Sequence, residues 1–542
     1  DMVLSWIKNN PFGIGIHWTS GLEVAMRAIS WIWMLANLKE FSGLSESDRQ
    51  AIVRSLGQHA YYLENHFSFY SSPYNHVIGE AAGLFLISRA LEEAKDSSRW
   101  LRRATDVLNE FAPRQFFRDG FCVEQAMGYH YFTSGFLLLA ELANRNLSAS
   151  RLNIRELIVR SLTAGVAFCQ PDRTWPAIGD VDSAQSIPVA RSNYWDFSST
   201  QQLAAVLLGE PEIACPLPSK SDADINYQVG GELYWLLGCD GLTHRKQFTV
   251  NRSPVAVTFP DAGYFVGGNE SDQVIFDAGC VSDGLFRDST PSAAHGHADT
   301  LQVLYQFDRQ AVLVDSGMPN YAGDPKRAFH YRSQEAHNTL RIEKADLVKS
   351  RGVLDWSNEV QTPTLRTSSD TDRWTACGEL VWPSCRVLRH VIAIPGHGLW
   401  VADWISSEQQ RTATWFWQMP LGTLKESNRS RSMLRFSGPS VNLQVVGSGS
   451  FLTSEISHGD DNHQMGWTSP GYGIVNQGTH CRYSAVVEDT LAVMTHIGRD
   501  DLCVEFDMGH DRLNIREQPN GGDVEIVDGL GMGNWHIRQP SS

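Results

Sequence analysis

The pattern of apolar positions changes once along this 542-residue chain. From about residue 20 to residue 210, apolar side chains recur at helical spacing, as in GLEVAMRAISWIWMLANL, NHVIGEAAGLFLISRALEEA and HYFTSGFLLLAELANR. We count roughly seven such segments, and many of them end at glycine, proline or asparagine turns. A succession of amphipathic helices without intervening strands predicts stacked helical hairpins.

Beyond about residue 250, short β-rich runs separated by turn residues replace this pattern. The clearest runs are PVAVTFP, QVIFDAG, LQVLYQF, AVLVDSG, VLRHVIAI, TATWFWQM and VNLQVVG. Such runs predict antiparallel sheets packed as a sandwich, and the Pro-, Ser-, Asp- and Gly-rich residues 209–232 predict a linker before them. We therefore predict a multidomain α+β protein. Its expected domains are a helical domain over 1–230, a central antiparallel β-sandwich over 231–420 and a C-terminal β-sheet domain over 421–542.

Composition and charge restrict the classes of partner. Hydrophobic residues make up 42% of the chain and charged residues 20%, which is ordinary for a globular protein. No run of about 18 apolar residues occurs, so no membrane-spanning helix is expected. The formal net charge of -16 argues against a nucleic-acid partner but not against a polyanionic substrate, because a local basic cluster can reverse the global field. One segment concentrates such residues, and its alternative interpretation is a solvated loop: Lys326, Arg327, His330 and Arg332.

Neither the N-terminus nor the cysteines identify a compartment. The first residues, DMVLSWIKNNP, lack the basic, apolar and small-residue regions of a secretory signal. The nine cysteines form no C-x-x-C pair, so they predict neither a thiolate zinc cluster nor a disulfide framework. Mostly free, buried thiols are expected.

The segment SAAHGHADT contains the strongest chemical signal. His295 and His297 flank a glycine, and Asp315 and His337 follow at strand-to-strand distances. A strand would place residues 295 and 297 on the same face, so that one imidazole binds an ion while the other points into a neighbouring cleft. Two imidazoles and a carboxylate can form a metal site.

The helical half offers two further candidate positions. Asn75 and His76 fall at the first turn of a predicted helix, where backbone donors and the helix dipole favour anions, although Asn75 can equally serve as a cap. Tyr129 and Tyr131 lie in EQAMGYHYF. Two residues apart on a helix, they point about 200° apart, so only one of them can face a cleft. Aromatic residues at a helix start are also commonly core residues.

Taken in order, NHVIGEAAG, EQAMGYHYF, PAIGDVDSA, AAHGHADT, VLVDSG and YRSQEAHNTLRI resemble the heparinase II/III superfamily of polysaccharide lyases. The similarity runs from about residue 13 to at least residue 420. It implies an α/α toroid followed by antiparallel β-sandwich domains, with the active site in the cleft between them. Members often carry more helix ahead of the segment that matches GIGIHW, so we expect an incomplete barrel of hairpins or a missing N-terminal portion. The resemblance also implies a periplasmic or secreted location.

The resemblance assigns roles to individual residues. The matches to catalytic positions are Asn75, His76, Tyr129 and His295. The matches to metal ligands are His297, Asp315 and His337. Independently of the resemblance, substrate contacts are expected from Arg332, Asn338, Asp180 and Trp175. Asp180 could instead order the rim of the helical domain, and most of the 17 tryptophans are expected to be buried. One divalent ion is expected, zinc first and manganese or calcium as alternatives, with the structural role of anchoring the loop that bears His295.

The expected activity is β-elimination on an anionic, uronate-containing polysaccharide. Heparan sulfate, hyaluronan, chondroitin sulfate and alginate all present a uronate, and the sequence does not choose among them. Three alternatives stay open: a glycoside hydrolase on an α/α toroid, a zinc hydrolase that activates water, and a non-catalytic protein that binds uronate polymers.

Overall fold

The computed structural model describes the chain in segments, and two compact units account for them. The described residues are 1–38, 44–145, 147, 151–187, 193–215, 230–245, 255–281, 295–320, 324–350, 356–358, 363–369, 373–422, 424–430, 433–459, 465–499, 512–516, 523–527 and 536–537. A helical unit takes in 1–169, 182–251 and 284–290. A β unit takes in 170–181, 252–283 and 291–542.

The helical unit contains nine α-helices in the segments described. They are α1 Met2–Asn9, α2 Gly21–Asn37, α3 Glu46–Asn65, α4 Asn75–Ala90, α5 Ser97–Phe111, α6 Met127–Asn144, α7 Arg155–Ala167, α8 Ser198–Leu208 and α9 Gly230–Arg245. The seven helices α2 to α8 confirm the predicted helical segments. Neighbouring helices pack on one another, with α4 against α2, α5 and α6, α6 against α7, and α8 against α9.

Helix α4 fixes the position of Asn75, its first residue. The helix is buried on nearly every side. At Gly83 an added Cβ would lie 2.6 Å from the Cβ of Ala25 in α2, so only glycine permits this close approach. Tight packing of α2 on α4 therefore holds the first turn of α4 in place.

In its described segments, the β unit is built from strands with one short α-helix. The strands are β1 Val255–Phe259, β2 Tyr264–Gly268, β3 Gln273–Asp277, β4 Val303–Phe307, β5 Gln310–Leu313, β6 Leu340–Ile342, β7 Val348–Ser350, β8 Trp356–Asn358, β9 Thr364–Ser369, β10 Trp374–Trp382, β11 Cys385–Ile394, β12 Gly398–Ser407, β13 Arg411–Pro420, β14 Lys425–Arg429, β15 Met433–Ser437, β16 Asn442–Gly447, β17 Phe451–Ser457, β18 Trp467–Gly471, β19 Ile474–Val487, β20 Thr490–Gly498, β21 Arg512–Arg516, β22 Asp523–Val527 and β23 His536–Ile537. The helix is α10 Pro325–Tyr331, which replaces the solvated loop considered for the basic segment.

The described sheets are antiparallel, as the β-rich runs predict. Their strand orders are β1-β2-β3-β4-β5, β14-β15-β16-β20-β12-β11-β10-β9, β17-β19-β13-β6 with β18 beside β19, β21-β22-β23 and β7-β8. Side chains from the second and third of these sheets share one hydrophobic core, which includes Val401, Trp417, Leu443, Tyr483 and Val493. Within the third sheet, the indole Nε1 of Trp417 in β13 donates to the hydroxyl of Tyr483 in β19 at 3.2 Å.

The compact units differ from the predicted domains. Helix α9 belongs to the helical unit, so the border follows residue 251 and not residue 230. The eight-stranded sheet joins strands from before and after residue 420, so that position is no border. Residues 216–229 of the predicted linker lie outside the described residues. Local hydrophobic patterns identify strands but not which strands pair, and pairing sets the domain borders here.

Candidate catalytic and metal site

His297, Asp315 and His337 converge in the β unit. Each offers one ligand atom, the three atoms lie within 4.8 Å of one another, and all three residues are buried. His297 comes shortly before β4, Asp315 follows β5, and His337 precedes β6. The three predicted ligand residues thus come together from chain segments beside three different strands, and they could hold one metal ion.

On His297 and on His337, the ring nitrogen that points away from the other imidazole already has a hydrogen-bond partner. His297 Nε2 lies 2.9 Å from an Asp180 oxygen, and His337 Nδ1 lies 2.7 Å from the carbonyl oxygen of Ser333. Because a carboxylate and a carbonyl only accept, both nitrogens donate. The inner nitrogens, His297 Nδ1 and His337 Nε2, then face each other as lone pairs 3.1 Å apart. Lone pairs this close repel unless a cation shares the space, so these residues fit a metal ion.

The third ligand and the protonation state agree with this fit. Asp315 Oδ1 lies 3.7 Å from His337 Nε2, while its other oxygen accepts from Gln302 Nε2 at 2.9 Å. Burial lowers the pKa of His337 to about 4, although Asp315 opposes the shift. The ring is therefore neutral near pH 7, the form in which an imidazole binds a metal.

Asp180 orients both histidines of residues 295–297, which we call the HGH segment. It is fully buried, one oxygen lies 2.9 Å from His297 Nε2, and the other lies 3.3 Å from His295 Nδ1. Burial alone would raise the pKa of Asp180, but Arg332, His295 and His297 hold it well below its usual range. This geometry favours an orienting role over the predicted contact with substrate hydroxyls.

The HGH segment is not a strand, contrary to our expectation. Residues 295–302 precede β4 as turns and irregular chain. Arg332 and Trp356 both donate to the carbonyl of Gly296, at 3.3 Å and 3.1 Å, and so fix the segment. The two imidazoles still lie on one side, because both reach Asp180. Tertiary hydrogen bonds, and not strand alternation, place them there.

A buried ion pair that sequence reasoning missed supports this region. Arg389 and Asp403 are both fully buried and form a salt bridge of 2.7 Å. Arg389 Nη1 also donates to the carbonyls of Leu301 and Asn338, at 2.8 Å and 3.2 Å. Leu301 has φ 68°, a conformation that costs energy for a residue with a side chain. The sequence hint was a charge within the apolar strand VLRHVIAI.

Two residues that we predict to contact the substrate, Asn338 and Trp175, lie buried in the protein interior. Asn338 is completely buried, donates through Nδ2 to the carbonyl of Val314 at 2.9 Å, and accepts from the amide of Gln418 at 2.6 Å. Trp175 is also fully buried. This geometry favours structural roles for both. Arg332, which is buried beside Asp180, keeps its substrate role as a prediction only.

In the helical unit, Asn75 lies where the sequence predicts it. It is the first residue of α4, and its side chain does not cap the helix. Its Nδ2 donates to Glu124 at 2.8 Å, and its backbone amide donates to the same carboxylate at 3.2 Å. Glu124, which sequence reasoning did not single out, therefore fixes the orientation of the amide. His76 follows, half-buried, on the same turn.

The contacts of the two tyrosines differ. Tyr131 stacks on Phe197 with ring centroids 3.9 Å apart, and its hydroxyl accepts from Gln201 at 2.6 Å. The hydroxyl of Tyr129 instead donates to a carboxylate oxygen of Asp182 at 3.3 Å. Tyr131 is thus committed to the core, which favours Tyr129 as the catalytic candidate.

Comparison with known proteins gives consistent matches. Residues 2–202 match the family described as Heparinase II/III N-terminus, and residues 251–497 match Heparinase II/III-like, C-terminal. A heparin-sulfate lyase of Bacteroides thetaiotaomicron is 22% identical over 377 residues, which cover 66% of this chain and 49% of that protein. The chain thus spans about half the length of this curated relative.

Solved structures establish the fold class. A heparinase III superposes with a TM-score of 0.71 at 16% identity, covering 97% of this chain and 78% of that chain. A mutant heparan sulfate lyase from Pedobacter heparinus gives 0.65 at 16% identity, covering 98% and 78%. The predicted helical α/α-toroid domain followed by antiparallel β-sandwich is confirmed as the fold class. Among the described helices, none is long and apolar enough to cross a membrane.

Proposed function

The chain belongs to the heparinase II/III-like family, and we propose that it is a polysaccharide lyase acting on uronate-containing polysaccharides by β-elimination. The observation that carries the proposal is that Asp180 orients both histidines of the HGH segment. One of them, His295, is the proposed catalytic histidine, and the other, His297, belongs to the buried set with Asp315 and His337. The proposed substrates are glycosaminoglycans such as heparan sulfate, hyaluronan or chondroitin sulfate, with alginate as a further candidate. By the same family relationship we propose a periplasmic or secreted location.

Elimination begins at the carboxylate of the uronic acid. Its C5 proton is only weakly acidic, and removing it creates an enolate-like dianion unless the carboxylate charge is neutralised. We propose that the Asn75 amide and either His76 or His295 bind the carboxylate and stabilise the charge that develops. Loss of one such donor typically costs about 3 kcal/mol of transition-state stabilisation.

Tyr129 is the proposed acid in either stereochemical course. In syn elimination the proton and leaving group lie on one face, so a Tyr129 tyrosinate takes the C5 proton and returns it to the glycosidic oxygen. In anti elimination His76 or His295 takes the proton, and Tyr129 protonates the leaving oxygen. A single set of residues thereby serves both glucuronate and iduronate.

The His297, Asp315 and His337 set is the proposed site of a structural divalent ion. Two imidazole nitrogens and one carboxylate oxygen suit zinc best, and manganese or calcium are the alternatives. When bound, the ion would supply a fixed positive anchor for the turns that carry its ligands. His297 lies two residues from His295, so ordering His297 orders the catalytic histidine as well.

Tyr129→Phe, with Tyr131→Phe as its matched control, tests the activity. Against a panel of uronate polysaccharides, the wild type should generate products that absorb as conjugated unsaturated uronates. Tyr129→Phe should lower this rate at least about a hundredfold while substrate binding persists, because only the transferable proton is lost. Tyr131→Phe should keep the rate, since its hydroxyl serves the core. Retained turnover in Tyr129→Phe would refute its role.

A further inference from the structure

The basic segment of α10 borders a cavity in the β unit. The cavity has a volume of about 560 Å³. Lys326 and Phe329 line it from α10, and Trp356 of β8 also lines it. Ala298, the residue after metal ligand His297, is part of the same lining. The cavity therefore adjoins the HGH segment within one unit.

The lining offers an exposed aromatic ring. Phe329 is 52% exposed, and its ring centroid lies 6.1 Å from that of Trp356. A large aromatic side chain that stays exposed in a concave site commonly marks a binding surface. The C–H face of a sugar ring is an apolar surface of matching size, which an aromatic ring can cover.

The charges of the lining are mixed. Arg341 is paired with Glu335, and the carboxylate of Asp346 is exposed. Lys326 is exposed and forms no ion pair with any residue in the described segments. Carboxylates can accept from sugar hydroxyls, while one unpaired ammonium group can bind one anionic substituent. A lining with carboxylates and only one unpaired positive charge suits a sugar that carries a single carboxylate better than a densely sulfated sugar.

The cavity wall is bonded directly to the HGH segment. Trp356 Nε1 donates to the carbonyl of Gly296 at 3.1 Å, and Gly296 lies between His295 and His297. The guanidinium of Arg332 lies 5.1 Å from the Trp356 ring centroid and donates to the same carbonyl. A sugar in this cavity would therefore occupy a place next to the residue proposed to act in catalysis.

We propose that this cavity is a subsite for a neighbouring sugar unit of the substrate chain. The sugar ring stacks on Phe329, and Lys326 binds its carboxylate. This assignment rests on the proposed function, since it takes the occupant to be part of the same uronate polymer. It also gives the basic segment of α10 a role in substrate recognition.

The test compares substrates of increasing length in two cavity variants and two controls. Phe329→Ala and Lys326→Gln alter the cavity, while Tyr472→Ala and Lys344→Gln alter an exposed aromatic and an exposed lysine outside its lining. For tetrasaccharides and longer chains, each cavity variant should raise KM about tenfold at unchanged kcat. For the shortest cleaved oligosaccharide KM should not change, and both controls should behave as wild type. A merely structural role would not depend on substrate length.

The failure of this assignment can be told apart from the failure of the proposed function. If the wild type cleaves uronate chains but the cavity variants match their controls, or raise KM equally at every length, the subsite assignment is overturned alone. If the wild type cleaves no uronate polymer, the proposal that this chain is a lyase is contradicted. Calorimetry with a saturated uronate tetrasaccharide then decides the subsite, and equal affinity of Phe329→Ala and Tyr472→Ala would overturn it.

Discussion

Asp180 connects two imidazoles that have different proposed tasks. One of its oxygens lies beside His297, a proposed metal ligand, and the other lies beside the catalytic candidate His295. Its own amide also donates to the carbonyl of His295 at 2.8 Å. A disturbance at the metal ligands therefore reaches His295 through a single residue.

Asp180→Asn should weaken metal binding. The substitution keeps the size of the side chain but removes the charge that orients His297, and loss of such an orienting partner typically lowers metal affinity about 10–100-fold. Competition with a chromophoric zinc chelator measures the affinity. Asp172→Asn, in the same chain segment but bonded to Gln306, is the matched control and should bind zinc as the wild type does. Equal zinc affinity in a folded Asp180→Asn protein would contradict the orienting role.

Sequence motifs could predict that His297, Asp315 and His337 form one set, but not which residues orient them. His297, Asp315 and His337 belong to segments with a recognisable family pattern. Asp180 lies in the sequence among the helical segments, and its histidine partners come from a distant part of the chain. Such an orienting role exists only after folding, so no local spacing predicts it.

Helix α4 has a buried carboxylate on the face that packs toward α2. Glu80 is fully buried and accepts from the backbone amide and the hydroxyl of Ser68, at 2.8 Å and 2.6 Å. Burial raises the pKa of Glu80 to about 7, although the bonds from Ser68 oppose the shift. The folded chain therefore holds this proton more tightly than the unfolded chain.

The stability of the helical unit should consequently fall as pH rises through this range. A raised carboxyl pKa gives a stabilising contribution that is complete below about pH 4.5 and is lost as pH rises through about 7. Glu80→Gln should therefore raise the free energy of unfolding above pH about 7, by at most about 3 kcal/mol, and have little effect below pH about 4.5. Chemical denaturation at both pH values measures this difference. The exposed Glu93→Gln is the control, and an equal response of the two variants would contradict the account.

Hydrophobic periodicity was sufficient for the helices and strands but not for the HGH segment. Helices such as α4 and strands such as β13 have long, regular apolar patterns that tertiary packing reinforces. The two histidines on either side of Gly296 have the alternating spacing of a strand. The carbonyl of Gly296, however, accepts hydrogen bonds from the side chains of Arg332 and Trp356. Long-range hydrogen bonds outweighed the local preference there.

At the scale of the whole molecule, the chain order does not match the division into units. Residues 170–181 belong to the β unit although they lie among the helical segments of the sequence, and they bring Asp180 next to the proposed metal ligand His297. Strands from both sides of residue 420 meet in one sheet. A domain prediction that divides the sequence into consecutive segments cannot give either feature, because both depend on contacts between distant parts of the chain.

Our central proposal is that this chain breaks uronate polymers by elimination and not by adding water. The most direct measurement is mass spectrometry of the products from a defined uronate oligosaccharide, recorded together with ultraviolet absorbance. We predict that the two product masses sum to that of the substrate and that one product carries the conjugated double bond. Products whose masses sum to that of the substrate plus one water, without an absorbance gain, would contradict the claim.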